Sequence, residues 1–466
     1  MNETRDDNVM GALLALIRAE ASRNFVTLLL LGALGAFVVL QGAVKLHSYW
    51  GKSSGAAPVD AKSTTTGKGL AEQDPNKNRP WGKWKPVNFQ YPPVEVCGQK
   101  IAEIKPIPYR PFKWGAYHVT MGLRNMPWSD WIELDRDDGT YHAIKTRRVL
   151  TRGRAAVRVL DDQANPGVVK GGGEAAIELV HELAEYLSRR YPSDFEAVRH
   201  SARVMDAQNL TVSYCDWGWY DLPPIKTIRM NSLNVSYDLP LSIDDGNQAP
   251  ERAMEIAGLL IQDDLALMVE GLDGKYYFQA GSICLPGFWR MTDKIGMPLD
   301  DIHITGHVPQ YKEKLQGSLG RFFQKLSVDK PVIRNNYSIQ INGDEKADEV
   351  DAEELAWAQS SLGDEDAYEN GAARLAKPEE TKVENIRLRS ERQTLRRLPR
   401  SGAIVFTIRT YLTPVTELAK EKGVPERLAS ALRSWPEDVG EYKGKKRGDW
   451  WGSLLRYLDE CDSSRE

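Results

Sequence analysis

A stretch near the C-terminus combines many guanidinium groups with the pattern of a strand. Residues 387–411 read RLRSERQTLRRLPRSGAIVFTIRTY. Apolar residues recur among the arginines, a turn signal covers residues 399–402, and the β-branched run at 403–410 predicts a strand buried on at least one face. Arginine presents a planar, permanently charged set of donors. Arg396, Arg397 and their neighbours are therefore suited to hold carboxylates in a partly buried place.

Arginine-rich runs have two other ordinary explanations, a solvated helix face and a nucleic-acid patch. The chain has a formal net charge of -4, which argues against a nucleic-acid-binding protein. The strand attached to the run argues against a solvated helix. We therefore interpret the arginines as parts of a site.

Several kinds of cofactor site are not supported. Cys97, Cys215, Cys284 and Cys461 are far apart and form no CxxC pair, so neither a zinc site, an iron–sulfur cluster nor a disulfide framework is predicted. The glycines at 171–173 precede a helical pattern but lack the GxGxxG and GK[ST] spacings of nucleotide-binding loops. No NAD(P)H site is readable in the sequence.

The stretch ERQTLRRLPRSGAIVFTIRTY resembles the C-terminal signature of the haem-dependent oxidative N-demethylase family. Other blocks agree in order, among them YHVTMGLR, WIELD, YHAIK, DDLALM, the strand KYYFQAGSIC and RNNYSI, and the first three resemble the fungal branch, which includes membrane-anchored members. The resemblance implies a PAS-like core that binds haem b. It also implies an enzyme that demethylates a small secondary amine with O₂ and releases formaldehyde. Arg396 and Arg397 would then hold the haem propionates.

Haem needs an axial ligand, usually a histidine. The chain has seven histidines, of which His118, His142, His303 and His307 are candidates, and family position favours His142 and His303. We predict His142 as the iron ligand because it begins a helix beside Lys145 and Arg148, cations that can also reach a propionate. His303, in a proline-rich loop, is the second choice.

A secondary amine is a cation at neutral pH, so its oxidation requires a group that holds or deprotonates it. Glu133 and Asp135, flanked by Trp128 and Trp131, are predicted to do so. The alternative is a solvated turn with both tryptophans in the core. Lys145 is a predicted proton donor on the oxygen side of the haem.

The N-terminal part predicts a membrane anchor. Residues 25–44 carry no charge and match the roughly 20 residues that span a bilayer. We assign residues 1–24 to a tail, 25–46 to one transmembrane helix, 47–83 to a flexible linker and 84–466 to the haem-dependent oxidative N-demethylase-like domain, with a mostly solvated acidic insertion at 344–382. A cleaved signal peptide is the alternative. Basic residues flank both ends, so the orientation in an endomembrane or mitochondrial membrane stays open.

Periodicity by itself shows only mixed α and β. We predict an α/β (α+β) domain in which helices surround an antiparallel sheet. Helices are predicted at 141–150, 174–190, 250–270 and 353–357, and strands at 117–123, 275–284, 334–339 and 403–410.

Two alternatives to an enzyme stay open. One is a haem-binding sensor or carrier without turnover, and the other is a membrane-tethered interaction protein that has lost the cofactor. An enzyme needs a separate electron-donating reductase, because the sequence has no dinucleotide fingerprint, cysteine cluster or flavin site. NADPH would act only through that partner.

Overall fold

The computed structural model describes residues 75–201, 217–343, 352–368, 381–446 and 449–463. All of them lie in one compact unit, Gln73–Glu466. The predicted tail, the predicted transmembrane helix and most of the predicted linker lie outside the described residues. Within the described ranges, no helix is both long and apolar enough to cross a membrane.

The described part is a mixture of strands and helices. The strands are β1 (Arg124–Asn125), β2 (Val157–Val159), β3 (Phe195–Arg199), β4 (Ile225–Met230), β5 (Val235–Asp238), β6 (Asp264–Glu270), β7 (Tyr276–Ser282), β8 (Val332–Ile341), β9 (Ile386–Arg397) and β10 (Ile404–Pro414). The α-helices are α1 (Asp138–Arg152), α2 (Gly173–Arg190), α3 (Ala249–Leu259), α4 (Leu299–Thr305), α5 (Gln316–Lys325), α6 (Ala352–Ala356), α7 (Gln359–Leu362), α8 (Val415–Leu418), α9 (Val424–Arg433), α10 (Glu437–Tyr442) and α11 (Trp450–Ser463).

A seven-stranded antiparallel sheet in the order β1-β8-β9-β10-β6-β7-β2 forms the centre of the fold. Its middle is the β9–β10 hairpin, which pairs from Ile404 opposite Arg397 to Pro414 opposite Arg387. The predicted turn at 399–402 and the predicted strand at 403–410 are confirmed. The arginine-rich half is itself a strand, so its arginines alternate between the two faces of the sheet.

The two faces of this sheet have different covers. Helices α2 and α3 pack on the face that carries Leu265, Leu267 and Val405, which we call the helical face. The C-terminal helices α9 and α11 pack on the same face where it carries Tyr337 and Leu388. On the opposite face, residues 285–330 pack over one end of the sheet. The predicted fold class, an antiparallel sheet with surrounding helices, is confirmed.

Most predicted elements are confirmed, and two need correction. Helix α3 ends at Leu259, and the second half of the helix predicted at 250–270 is strand β6. Nearly every residue of β6 is buried, so the strand shows no alternation to distinguish it from a buried helix. The strand predicted at 117–123 is wrong, because these residues form no strand. The short strand β1, which pairs with β8, begins only at Arg124.

Two regions predicted to be solvated are in part packed. Arg79, within the predicted linker, forms a buried ion pair with Glu270, so the packed domain begins before residue 84. Residues 352–368, within the predicted insertion, bury Trp357 and Leu362. A segment with too few apolar residues for a core of its own can still dock on an existing one.

Buried arginines of the hairpin pair with carboxylates from the helical side of the molecule. Arg396 pairs with Glu182 of α2 and lies 4.6 Å from the ring centroid of Trp128 and 4.3 Å from that of Trp131. Both side chains of the ion pair are almost inaccessible. Loss of one partner therefore leaves the other charge uncompensated.

Replacing Arg396 with leucine is expected to lower the free energy of unfolding by about 3–5 kcal/mol, because Glu182 would keep a buried charge without its partner. Urea denaturation of the full chain measures this change. The control is Arg433→Leu, which removes one partner of an exposed pair with Asp459 and is expected to cost less than about 1 kcal/mol. Equal losses in the two variants would contradict the importance of the buried pair.

Candidate functional site

One face of the central sheet is incompletely covered. Along β10, Val405, Thr407 and Arg409 point to the helical face and are buried, whereas Phe406 and Ile408 are only partly buried. Successive side chains of a strand point to opposite faces. The alternation therefore shows that the middle of the opposite face, which we call the open face, is incompletely covered, and we call this uncovered area the hollow.

The strand register puts polar side chains together on the floor of this hollow. Arg334 of β8 is opposite Gln393 of β9, which is itself opposite Ile408 of β10. In the next row, Asn336 is opposite Glu391. Directly opposed residues share a face of the sheet, so a guanidinium and a carboxylate lie beside each other on the open face.

Residues 285–330 form most of an apolar wall over this floor. The wall side chains that pack on the sheet and remain partly accessible are Leu123, Trp289, Leu299, Ile302, Leu319 and Phe322. Aromatic and aliphatic surfaces that enclose a hollow suit a largely apolar ligand, with a few polar groups to orient it.

His303 lies on α4 in this wall, and two contacts fix its ring. Its Nδ1 is 2.7 Å from the carbonyl oxygen of Leu299, and the ring stacks on Tyr311 with 4.6 Å between the centroids. A carbonyl oxygen only accepts, so Nδ1 carries the hydrogen and Nε2 of the neutral ring keeps its lone pair. Among the described residues, none forms a hydrogen bond with Nε2.

The electrostatics keep this imidazole neutral. Burial lowers the pKa of His303, the carbonyl of Leu299 opposes this effect, and the positive charges of Arg334 and Lys294 lower the pKa further. Because the charge of Arg334 acts on the pKa of His303, the ring lies on the same side of the sheet as the polar floor. A neutral imidazole that is held through Nδ1 and has a free Nε2 is the usual form of a histidine that binds a metal.

Neighbouring polar side chains hold α4 in place. Lys294 donates to the carbonyl oxygen of Ile302 at 3.1 Å and contacts the hydroxyl of Thr305 at 3.3 Å. Asp300 accepts a hydrogen bond of 2.6 Å from the hydroxyl of Tyr311. These bonds fix both the helix of His303 and the ring on which His303 stacks.

The structure separates the histidines that the sequence grouped. Nε2 of His142, the first choice from the sequence, is 2.8 Å from the hydroxyl of Tyr237 in the small sheet β3-β4-β5. His118 is exposed in an irregular segment. Of these three candidates, His303 is the one in the wall of the hollow.

Lys145, a predicted proton donor, binds backbone carbonyl oxygens inside the protein. Its Nζ lies 3.0 Å from the carbonyl oxygens of Gly258 and Ile261 and also contacts the carbonyl oxygen of Asp263. An ammonium group has three donors, so all of them are used. They satisfy carbonyl groups at the C-terminal end of α3 and just beyond it.

Arg396 and Arg397, the predicted propionate partners, are also occupied inside the protein. Arg397 donates to the carbonyl oxygens of Leu326 at 2.6 Å and Gly402 at 2.7 Å and to the hydroxyl of Tyr276 at 2.9 Å. The side chains of Arg396 and Arg397 are 0% and 1% accessible. A propionate cannot reach either one, so its partner must be elsewhere.

Glu133 and Asp135, the predicted amine ligands, lie on the helical side of the sheet. Glu133 is 3.0 Å from Nε of Arg392, and Asp135 pairs with Arg409 at 2.8 Å. Burial raises the pKa of Glu133, and the charge of Arg392 opposes this rise. The aromatic side chains predicted to flank an amine instead enclose the guanidinium of Arg396.

Sequence reasoning did not single out Arg334 and Glu391. Both lie in blocks that carry the family resemblance, RNNYSI and ERQTLRR. A charged residue within a strand pattern was the available signal. Their placement on one face depends on the register between β8 and β9, which the sequence does not contain.

The residues around the hollow are of the types that hold haem. Within the described ranges, no group of three or more His, Cys, Asp or Glu side chains is arranged to hold a bare metal ion, whereas haem iron can be held by one protein ligand. His303 offers that ligand, the wall offers apolar contacts, and Arg334 has a buried Nε without an acceptor. The fold is thus that of an α+β protein, and its open face carries the residue types that haem binding requires.

A family model described as haem-dependent oxidative N-demethylase, alpha subunit-like, matches residues 122–453. The match covers more than half of the 466 residues, and the chain belongs to this family. The matched region includes His303, Arg334 and Glu391.

The His303→Ala chain is expected to lose the Soret band that forms when haem is added, because the iron loses Nε2. Absorbance titration measures this loss, and circular dichroism checks that the variant is folded. The matched control, His142→Ala, breaks the contact with Tyr237 but should keep the band. Loss of the band in His142→Ala and its retention in His303→Ala would reverse the ranking of the two histidines.

Proposed function

We propose that this protein is an oxidative N-demethylase, which uses haem b and O₂ to remove a methyl group from a small secondary amine and releases formaldehyde. The observation that carries the proposal is the neutral His303, whose Nε2 is free in an apolar hollow of a chain that belongs to this family. The PAS-like architecture implied by the resemblance is part of the proposal.

Bound haem supplies the redox centre at which O₂ is reduced. The net reaction converts R–NH–CH₃, O₂, two electrons and two protons into R–NH₂, CH₂O and H₂O. In this chain, His303 would hold the iron and the apolar wall would limit the access of bulk water, while Lys294 and Asp300 keep α4 in place.

Glu391 replaces Glu133 and Asp135 as the proposed carboxylate that holds the cationic amine. Its side chain lies on the open face, 18% accessible and 3.3 Å from Nε of Arg389, whereas Glu133 and Asp135 pair with arginines on the helical face. Gln393 donates to Glu391 at 2.9 Å and fixes the carboxylate in place.

The two electrons require a partner. The sequence has no dinucleotide fingerprint and no cysteine cluster, so we propose a separate reductase that uses NADPH. A transmembrane helix at 25–46 and the linker that follows would keep the domain near a membrane-bound reductase and raise its effective concentration. This location and the membrane-anchored fungal branch are inferred from the sequence alone.

The haem-loaded full chain is expected to release formaldehyde from dimethylamine in the presence of O₂, ascorbate and an electron mediator. The matched control substrate is ethylamine, an isomer of dimethylamine without an N-methyl group, which should give none. A colorimetric formaldehyde assay measures both. A haem-loaded chain that binds dimethylamine but gives no formaldehyde would indicate a sensor or carrier instead.

NADPH alone is expected to support little turnover of dimethylamine by the haem-loaded chain, because no nicotinamide site is readable. Addition of a haem-reducing NADPH-dependent reductase should restore formaldehyde release. NADPH consumption and formaldehyde are measured in the same samples. Fast turnover with NADPH alone would contradict the need for a partner.

A further inference from the structure

Arg334 has no internal partner for its charge. The side chain of Arg334 forms no hydrogen bond and no ion pair with any described residue, and its Nε is buried. Burial lowers the pKa of Arg334, and the nearby charge of Glu391 opposes this shift without cancelling it. The side chain is only partly buried, and its terminal nitrogens are not among the buried atoms, so they can donate to a ligand.

Other buried arginines of the sheet behave differently. At Arg392, burial lowers the pKa, but the charge of Glu133 and those of further neighbours together outweigh this effect, and the pKa is raised. At Arg409, burial also lowers the pKa. The effects of Tyr141, Tyr411 and Asp135 together outweigh this, and the pKa is raised. Arg334 is thus under-compensated by comparison with arginines of the same sheet.

The surroundings of Arg334 favour an anion. Glu391, the carboxylate in the adjacent row, is also 3.3 Å from Arg389 and is therefore shared. Lys443 adds a second cation beside the floor, where its Nζ lies 3.5 Å from the side-chain oxygen of Asn336. Arg334, Arg389 and Lys443 all interact with the one carboxylate of Glu391. A planar guanidinium with free donors matches the geometry of a carboxylate.

We propose that Arg334 is the anchor of a carboxylate-binding site on the open face. The inference rests on the proposed function, since two sources of the carboxylate follow from it. One is a propionate of the haem. The other is the carboxylate of the substrate, which would then be an N-methylated amino acid rather than a simple amine.

The first test uses the haem-free full chain. Arg334→Met is expected to leave the thermal midpoint unchanged or to raise it, because it removes a charge that has no internal partner. The matched control is Arg158→Met on β2, at the other end of the sheet, where the arginine is also partly buried with a buried Nε. A large fall in the midpoint for Arg334→Met alone would show a structural arginine and would overturn the proposal.

The second test examines the propionate as the source. The full chain and both variants are titrated with haem b and with its dimethyl ester, in which the propionates are uncharged. If Arg334 holds a propionate, the wild-type chain should prefer haem b by roughly 10- to 100-fold, the equivalent of one charge-assisted bond. Arg334→Met should lose this preference, and Arg158→Met should keep it.

The third test examines the substrate as the source. N-methylglycine and dimethylamine are compared by the shift that each causes in the Soret band and in the thermal midpoint. If Arg334 holds the substrate carboxylate, the wild-type chain should prefer N-methylglycine, and Arg334→Met should lose the preference without losing affinity for haem b. The shift in the thermal midpoint does not require bound haem, so the comparison can also be made for a chain that binds no haem.

The outcomes separate the two proposals. A wild-type chain without a Soret band after haem addition would contradict the proposed function, while a preference for N-methylglycine that depends on Arg334 would still support the carboxylate site. If Arg334→Met and the wild-type chain show the same preferences in both titrations, Arg334 does not bind a carboxylate and the inference is wrong.

Discussion

Compensation of the arginine charges on the helical face is the constraint on which the rest of the structure depends. Arg392, Arg396 and Arg409 lie at the centre of the sheet and are nearly inaccessible. Carboxylates from the segments that pack on this face pair with them. A buried charge without such a partner would cost several kcal/mol. The β9–β10 hairpin can therefore be buried only when the helical layer is in place.

The same strands supply the open face, because successive residues point in opposite directions. Arg392 is buried on the helical face, whereas its neighbours Glu391 and Gln393 face the hollow. A shift of one residue in the register would exchange these sets. It would place buried, paired arginines at the hollow and would remove the carboxylate from it. Stability and function are thus coupled through one register.

On the helical face, residues that resemble a ligand site in the sequence bind a side chain of the protein itself. Trp128 and Trp131 beside acidic residues have the composition of a pocket for a cationic ligand. In the folded chain, the cation between these rings is Arg396, and its counter-ion is Glu182. The hollow on the open face differs because one guanidinium there, that of Arg334, has no counter-ion within hydrogen-bonding distance.

The sequence by itself determined the turn and the second strand of the hairpin, and the family, since turn residues, β-branched runs and ordered motifs act over short distances. The fold class followed from these elements. Only the tertiary structure decided which residues can reach a ligand. His142 and His303 look alike in sequence, yet one contacts Tyr237 and the other keeps a free Nε2 in an apolar wall. Accessibility and charge compensation depend on partners that are distant in the chain, and for this reason the sequence favoured Arg396 and Arg397 over Arg334.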